Sequence, residues 1–196
     1  MMKNIKPEHI VEFYRTAVFG NEDDVRAAAK RAYRDMCRTL KFRPGADETI
    51  KREIYNKVIN EIIIPATDEC TYITSKDDYD KWHDNTCIKI LEAYSVDNHT
   101  FHYGQSQKWI NMLMKYLCIV LNNEKYDAIY EYLHIPIDSI IIEWAKKEFN
   151  ISPCTVWSKL SRTDYIEYHS VLWDALRKEG RTPIEWEFTA WLKGKE

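Results

Sequence analysis

Lys108 and Asp138 are the residues of this chain whose types and setting fit covalent chemistry. Lys108 lies near the start of an expected helix, where the positive end of the helix dipole favours a neutral amine, and a partly apolar cleft pushes the same way. A neutral amine attacks a carbonyl-like carbon or the anomeric carbon of a deoxynucleoside. Asp138 follows Pro136-Ile137 at the start of another helix, so both groups are placed to converge on one cleft. Tryptophan and tyrosine surfaces nearby would stack on a base held outside its duplex. A plainer reading stands beside this one: Asp138 caps its helix, and Lys108 and Lys115 are wet lysines.

Residues 102–144 supply the elements that must position this pair. Trp109, Met112, Leu113, Tyr116, Ile119 and Val120 recur at helical spacing and are expected to face a core. Lys108, Asn111 and Lys115 fall on another face, since seven residues make nearly two turns. Asn122-Asn123 stops the helix, a short helix is expected over 124–133, and His134-Ile-Pro-Ile-Asp138 fixes the start of the helix that runs from Ser139 to Phe149. Beyond it, Ser161 with Asp164 forms a capping box, Gly180 closes that helix, and Thr182-Pro183 begins the last one.

Before this stretch, Pro7 opens a helix whose buried side is expected to carry Ile10, Phe13, Tyr14 and Ala17. Asn21 is the expected cap of the next, which buries Val25, Ala29, Ala32, Met36 and Leu40. The other side of that helix carries Arg26, Lys30, Arg34, Arg38 and Lys41, a basic stripe. It reads either as a solvated face or as a row of contacts to nucleic-acid phosphates, without sequence specificity. A helix over 47–64 is expected to end at Pro65. Ser75 with Asp78 caps the following one, and 71–74 is an isolated strand at most. Residues 96–100 are polar and short, dividing a basic helical lobe (1–98) from a core (99–196), unless the chain is one compact domain. The class expected is all-α, with about eight or nine helices in a compact multi-helix fold.

The totals exclude several functions. With 196 residues, 45% hydrophobic and 30% charged, the chain can build a sizeable core. A net charge of −3 gives no global attraction to nucleic acid or acidic lipid, although a local basic surface remains open. Five dispersed cysteines without a CxxC pair indicate free, largely buried thiols, and the expected location is cytoplasmic. The apolar runs are too short to span a membrane. Phosphate-binding glycine loops, HExxH and GxSxG are missing from the sequence. His83 with Asp80 and Asp84 is the nearest approach to a metal-ligand cluster, and a solvent-facing charged patch is the expectation there. No metal and no cofactor is expected.

The pattern Tyr103-Gly104-Gln105-Ser106-Gln107-Lys108-Trp109 followed by His134-Ile135-Pro136-Ile137-Asp138 resembles the helix-hairpin-helix DNA glycosylases. It is most similar to compact archaeal-type 8-oxoguanine glycosylases and to bacterial 8-oxoguanine-glycosylase-like proteins. The likeness covers roughly residues 101–191, including Trp157-Ser158-Lys159-Leu160 and Glu185-Trp186-Glu187-Phe188. It implies a glycosylase-like fold, Lys108 as nucleophile, Asp138 as its partner, and Lys115 as a further family lysine. Tyr103, Gln107 and Asn111 would support that centre. The implied activity is excision of a damaged purine through a lysine Schiff base, with strand scission by β-elimination and DNA as partner. Two departures bear on it. The glycine-rich hairpin is reduced to Gly104, and no residue that recognises 8-oxoguanine can be assigned. A helical protein that binds nucleic acid or another protein without cutting the glycosidic bond is therefore the alternative.

Overall fold

The computed structural model describes residues 5–95 and 99–194. Residues 96–98, inside the expected seam between the two lobes, lie outside the described residues. Among the described residues there are nine α-helices with short 3-10 and π segments, and the only β-type pairing is an isolated bridge between Lys41 and Thr100. None of these helices is long and apolar enough to cross a membrane.

Helix α1 (Pro7–Phe19) starts on its proline as expected and ends at Gly20, whose φ of 79° suits a residue without Cβ. Its burial differs from the sequence expectation. Ile10, Phe13, Tyr14 and Ala17 are exposed, and Phe19 alone is buried. At its C-terminal end Phe19 sets its ring edge-on to Tyr116 and Arg15 bonds Asp24. Helix α2 (Asp24–Met36) is capped by Asp23 rather than Asn21, the Asp23 carboxylate accepting the Arg26 N–H. Its alanines (27, 28, 29 and 32) allow close approach, and the Trp109 indole donates to the Ala29 carbonyl at 3.0 Å.

Helix α3 (Glu48–Lys57) does not stop before Pro65. It passes through a π segment, Val58–Ile63, directly into α4 (Ile64–Cys70), with Pro65 in the first turn of α4. The wider π turn changes the bonding register, so the missing proline N–H falls where a helix start tolerates it. The stretch 71–74, read as an isolated strand at most, is a turn at 71–72 followed by irregular backbone. Helix α5 (Lys76–Ser95) begins with Ser75 accepting the Asp78 N–H.

Helix α6 (Tyr103–Lys115) is the axis of the fold, and all thirteen of its residues are buried. The plainer reading of Lys108 and Lys115 as wet lysines therefore does not hold, while Val120, expected inside, is exposed. The helix is enclosed all round because neighbours supply partners for its polar side chains, which removes the usual penalty for burying them. Gly104 marks the tightest approach: a Cβ there would run into the Trp157 carbonyl, and the Gly104 N–H donates to Leu160 O at 3.0 Å.

A π turn (Tyr116–Val120) ends this helix, and the segment expected as a short helix is 3-10 over Glu124–Tyr132. Helix α7 (Ser139–Phe149) is capped by Asp138 and closed by Asn150 in the left-handed region, φ 57°. Helix α8 (Arg162–Lys178) carries the expected Ser161/Asp164 capping box and ends before Gly180. Helix α9 (Pro183–Lys193) packs beside α7 and α8.

Candidate active site

The Lys108 ammonium and the Asp138 carboxylate meet at 2.7 Å, although thirty positions separate them. Two devices hold Asp138. Its Oδ1 accepts the Ile141 N–H as the cap of α7, which leaves Oδ2 for the lysine. The preceding residue is gripped by Gln107, whose Nε2 donates to Ile137 O at 3.0 Å while its Oε1 accepts from Ile137 N at 3.3 Å. A single side chain of α6 thus clamps both backbone groups of the residue before Asp138. Asn111 extends the clamp, donating to Gln107 Oε1, Ile135 O and the Tyr165 hydroxyl.

Lys108 is only 4% exposed, whereas the Asp138 side chain keeps 15% of its surface open. Solvent therefore reaches the pair from the carboxylate side. Ser139, the residue after Asp138, lines a cavity of about 310 Å³ together with Ile142, Lys146 and Trp157, but neither Lys108 nor Asp138 is part of its lining.

Two turns along α6, Lys115 makes a second ion pair with Glu187 at 2.6 Å. Glu187 is fully buried, and desolvation pushes its carboxyl above the usual range against the opposing pull of Lys115. Lys108 and Asp138 also act on Glu187 electrostatically, so the four charges form one cluster. The Lys115 ammonium lies 5.0 Å from the Phe188 ring and 5.7 Å from the Trp191 ring, and both rings retain exposed surface. Glu187 and these two rings were not identified as site residues from the sequence. Their spacing on α9 reads equally well as core, and only the register of α9 against α6 brings them to Lys115.

Tyr103 takes a different direction. Its hydroxyl donates to Asp84 at 3.0 Å, and Arg162 holds the same carboxylate through two bonds of 2.8 and 2.7 Å. Arg162 keeps the Asp84 carboxyl below its ordinary range. His83, expected in a solvent-facing patch, is 1% exposed. Its ring is tilted by 42° against that of His134 at 4.2 Å between centroids, and His134 stacks on His169 (4.0 Å). Among the described residues no group of three His, Cys, Asp or Glu side chains could hold a metal ion.

The basic stripe is only partly free. Arg26 bonds Asp23 and Asn60, and Lys30 pairs with Glu22 at 2.7 Å. Arg34 and Arg38 are exposed. Arg38 lies in the 3-10 turn Cys37–Thr39 beyond the end of α2, and Lys41 lies further on, in the bridge to Thr100. The row is thus straight only as far as Arg34. Compared with family models, with curated proteins and with solved structures, the chain matches none.

Proposed function

We propose that this chain is a helical DNA-binding protein of the glycosylase type, in which Lys108 attacks the anomeric carbon of an extruded damaged purine nucleotide. The observation that carries the reading is the 2.7 Å contact between Lys108 Nζ and Asp138 Oδ2, with the other carboxylate oxygen spent on the α7 cap. This leaves one oxygen fixed at the amine, in position to take a proton from the ammonium and expose its lone pair. The amine then forms a bond to C1′ as the bond from C1′ to the base breaks, and the departing base takes up the proton that Asp138 had accepted. Asp138, again anionic, stabilises the positive charge that develops on the sugar. Opening of the sugar ring gives a Schiff base to Lys108, and β-elimination cuts the strand. Phe188 and Trp191, partly exposed beside the second ion pair, supply apolar ring surface against which an extruded base would pack. Arg34, Arg38 and Lys41 supply phosphate contacts, with DNA as the partner.

A second reading has its own support. Both lysines of α6 are buried and matched to acids, which is also how a structural staple between helices is built. In that reading the chain is a non-enzymatic helical protein that binds nucleic acid or another protein. One experiment separates the two. Incubation with duplexes carrying 8-oxoguanine and a panel of other damaged bases, followed by borohydride, traps a covalent protein–DNA adduct if Lys108 is the nucleophile. Lys108→Gln removes the adduct. Because the lysine head is buried, the melting of the variant is measured alongside, and trapping is run where it remains folded. Absence of any adduct from the wild-type protein leaves the binding reading.

A further inference from the structure

Helix α1 carries its apolar side outward. Phe19, its buried residue, points to the body of the molecule. Glu12, Arg15 and Thr16, which share that side at helical spacing, line a cavity of about 300 Å³ with Phe19, Asp24, Ala27 and Leu121. At about 100° per residue, Ile10, Val11, Tyr14, Ala17 and Val18 fall on the side away from this cavity. All five are exposed, Val11 to 68% and Tyr14 to 63%. An amphipathic surface helix ordinarily turns its apolar stripe to the core and its polar side to water. Here the two are reversed. A helix of thirteen residues is also marginal in water without packing, so covering this face would stabilise it.

The charges on the helix select what covers it. From Lys6 to Phe19 there are two cations, Lys6 and Arg15, and two acids, Glu8 and Glu12. A helix lying on acidic lipid needs a cationic polar side, and this one has no excess of positive charge. A second copy of the chain meets the pattern. Pro7, Val11, Tyr14 and Val18 follow at intervals of four, three and four, the apolar seam of two helices packed along their length. Glu8 and Arg15, seven positions apart, stand on one edge of that seam, and Ile10 and Ala17 stand on the other. When two such helices run antiparallel, Val11 of one lies at Tyr14 of the other and like edges meet. Each Glu8 then comes beside Arg15 of the second copy. Both groups are able to respond. Glu8 pairs with Lys6 at 3.8 Å, where both side chains are largely exposed. Arg15 gives Nη2 to Asp24, and its guanidinium carries further donors.

We propose that α1 is a self-association helix, packing antiparallel about a two-fold axis against α1 of a second copy along the seam Pro7, Val11, Tyr14 and Val18. This does not rest on the glycosylase reading, since α1 holds none of the residues of that site. Sedimentation equilibrium of the full chain, from micromolar to near-millimolar concentration, is expected to show monomer and dimer and no larger species, because a two-fold contact closes on itself. Val11 and Phe13 are equally exposed, at 68%, but Phe13 lies about a third of a turn round the helix from the seam. Val11→Gln should therefore weaken the dimer by about tenfold or more, since the change is made in both copies, and Phe13→Gln should change it little. Glu8→Lys sets like charges against Arg15 and should weaken the dimer about threefold. All three positions are exposed, so the melting of the dilute protein should stay as it is. The inference is overturned if the chain stays monomeric throughout, if Phe13→Gln weakens association as much as Val11→Gln, or if Glu8→Lys leaves it unchanged. It is equally overturned if vesicles of phosphatidylcholine and phosphatidylserine take up the monomer through this helix, with Val11→Gln and Phe13→Gln reducing that uptake alike.

Discussion

Helices α2 and α6 lie against each other through the Trp109–Ala29 contact, and in sequence both carry basic residues at helical spacing. Their charges have opposite fates. On α6, Lys108 and Lys115 are inside the molecule, each held by one acid at 2.7 and 2.6 Å. On α2, Arg26 and Lys30 pair at the surface with acids of the turn before the helix, and Arg34 stands in solvent. The difference comes from what surrounds each helix. Neighbours cover α2 on one side, and its alanines mark that side. Helix α5, the segment 133–138, the turn Trp157–Lys159, α8 and α9 close around the remaining faces of α6, and carbonyls and carboxylates among them meet its polar residues. A buried pair is expensive to break and a surface pair is cheap, so substitutions on the two helices should differ in kind.

The largest effect is expected at the inner pair. Glu187→Ala strands the Lys115 ammonium in a dry site and should cost about 3–5 kcal/mol. Replacing both partners, Lys115→Met with Glu187→Leu, should recover most of that loss, because no charge is left buried. Urea unfolding at pH 7 measures both. If the single substitution costs less than about 1 kcal/mol, on the scale of a surface pair, Lys115 is not enclosed and the contrast with α2 fails.

Next comes Asp138. Sequence reasoning alone assigns Asp138→Asn little cost, since asparagine also caps a helix. With Oδ2 committed to a buried lysine, the loss should be roughly 1.5–3 kcal/mol, the range for a hydrogen bond to a charged group. Asp138→Ala should lose roughly 0.5–2 kcal/mol more through the cap. A double-mutant cycle with Lys108→Met isolates the pair: the cost of Asp138→Asn should shrink when the lysine is already gone.

How much of this could be read from residues alone depends on whether the cause is local. The start of α1 at Pro7, the Ser161/Asp164 box and the halt at Gly180 are set by side chains within a few positions, and they were legible. The start of α7 after Pro136-Ile137 was legible too, with Asp138 at its cap, whereas the contact with Lys108 depends on how α7 is set against α6. The enclosure of α6 was not, because Gln107 and Asn111 look like surface residues until the Ile135 and Ile137 backbone lies against them. The exposure of α1 was missed because its apolar row is amphipathic without a neighbour to cover it. His83, His134 and His169 stand on α5, the segment before α7, and α8, and only tertiary packing brings their rings together.

Those imidazoles give the third prediction, again against the surface charges of α2. Burial lowers His83 to about 4, and His134 and His169 well below the ordinary value near 6.5. Asp80 and Asp84 favour the charged form of His83, whereas Lys76 opposes it. The unfolded chain therefore takes up protons first as pH falls. The stabilisation is fully present above the unfolded value and is lost between about 6.5 and 4. Each such imidazole contributes a slope of up to about 1.4 kcal/mol per pH unit. His83→Phe should reduce the slope by that amount across the window, and Lys30→Gln on α2 should leave it unchanged. Urea midpoints measured every half unit of pH make the comparison.

The smallest effect on stability is expected from the outer charges, where an effect on binding is expected instead. Arg34→Glu with Arg38→Glu replaces exposed side chains that make no ion pair among the described residues, so folding should shift by no more than about 0.5 kcal/mol. If these groups touch phosphates, the salt dependence of duplex binding should flatten by about 0.9 in logarithmic slope for each lost contact, close to two for the pair. The loss should be the same for unrelated DNA sequences, since only backbone charge is read. Lys30→Glu is the internal control. Glu22 already neutralises Lys30 at 2.7 Å, and a phosphate would have to displace that acid first. Its reversal should therefore change the slope less than either arginine does. Equal effects from Lys30 and Arg34 would mean that the Glu22 pair opens on binding and the whole row acts together. An unchanged slope in the double variant would remove DNA from this side of α2 and leave it a solvated face.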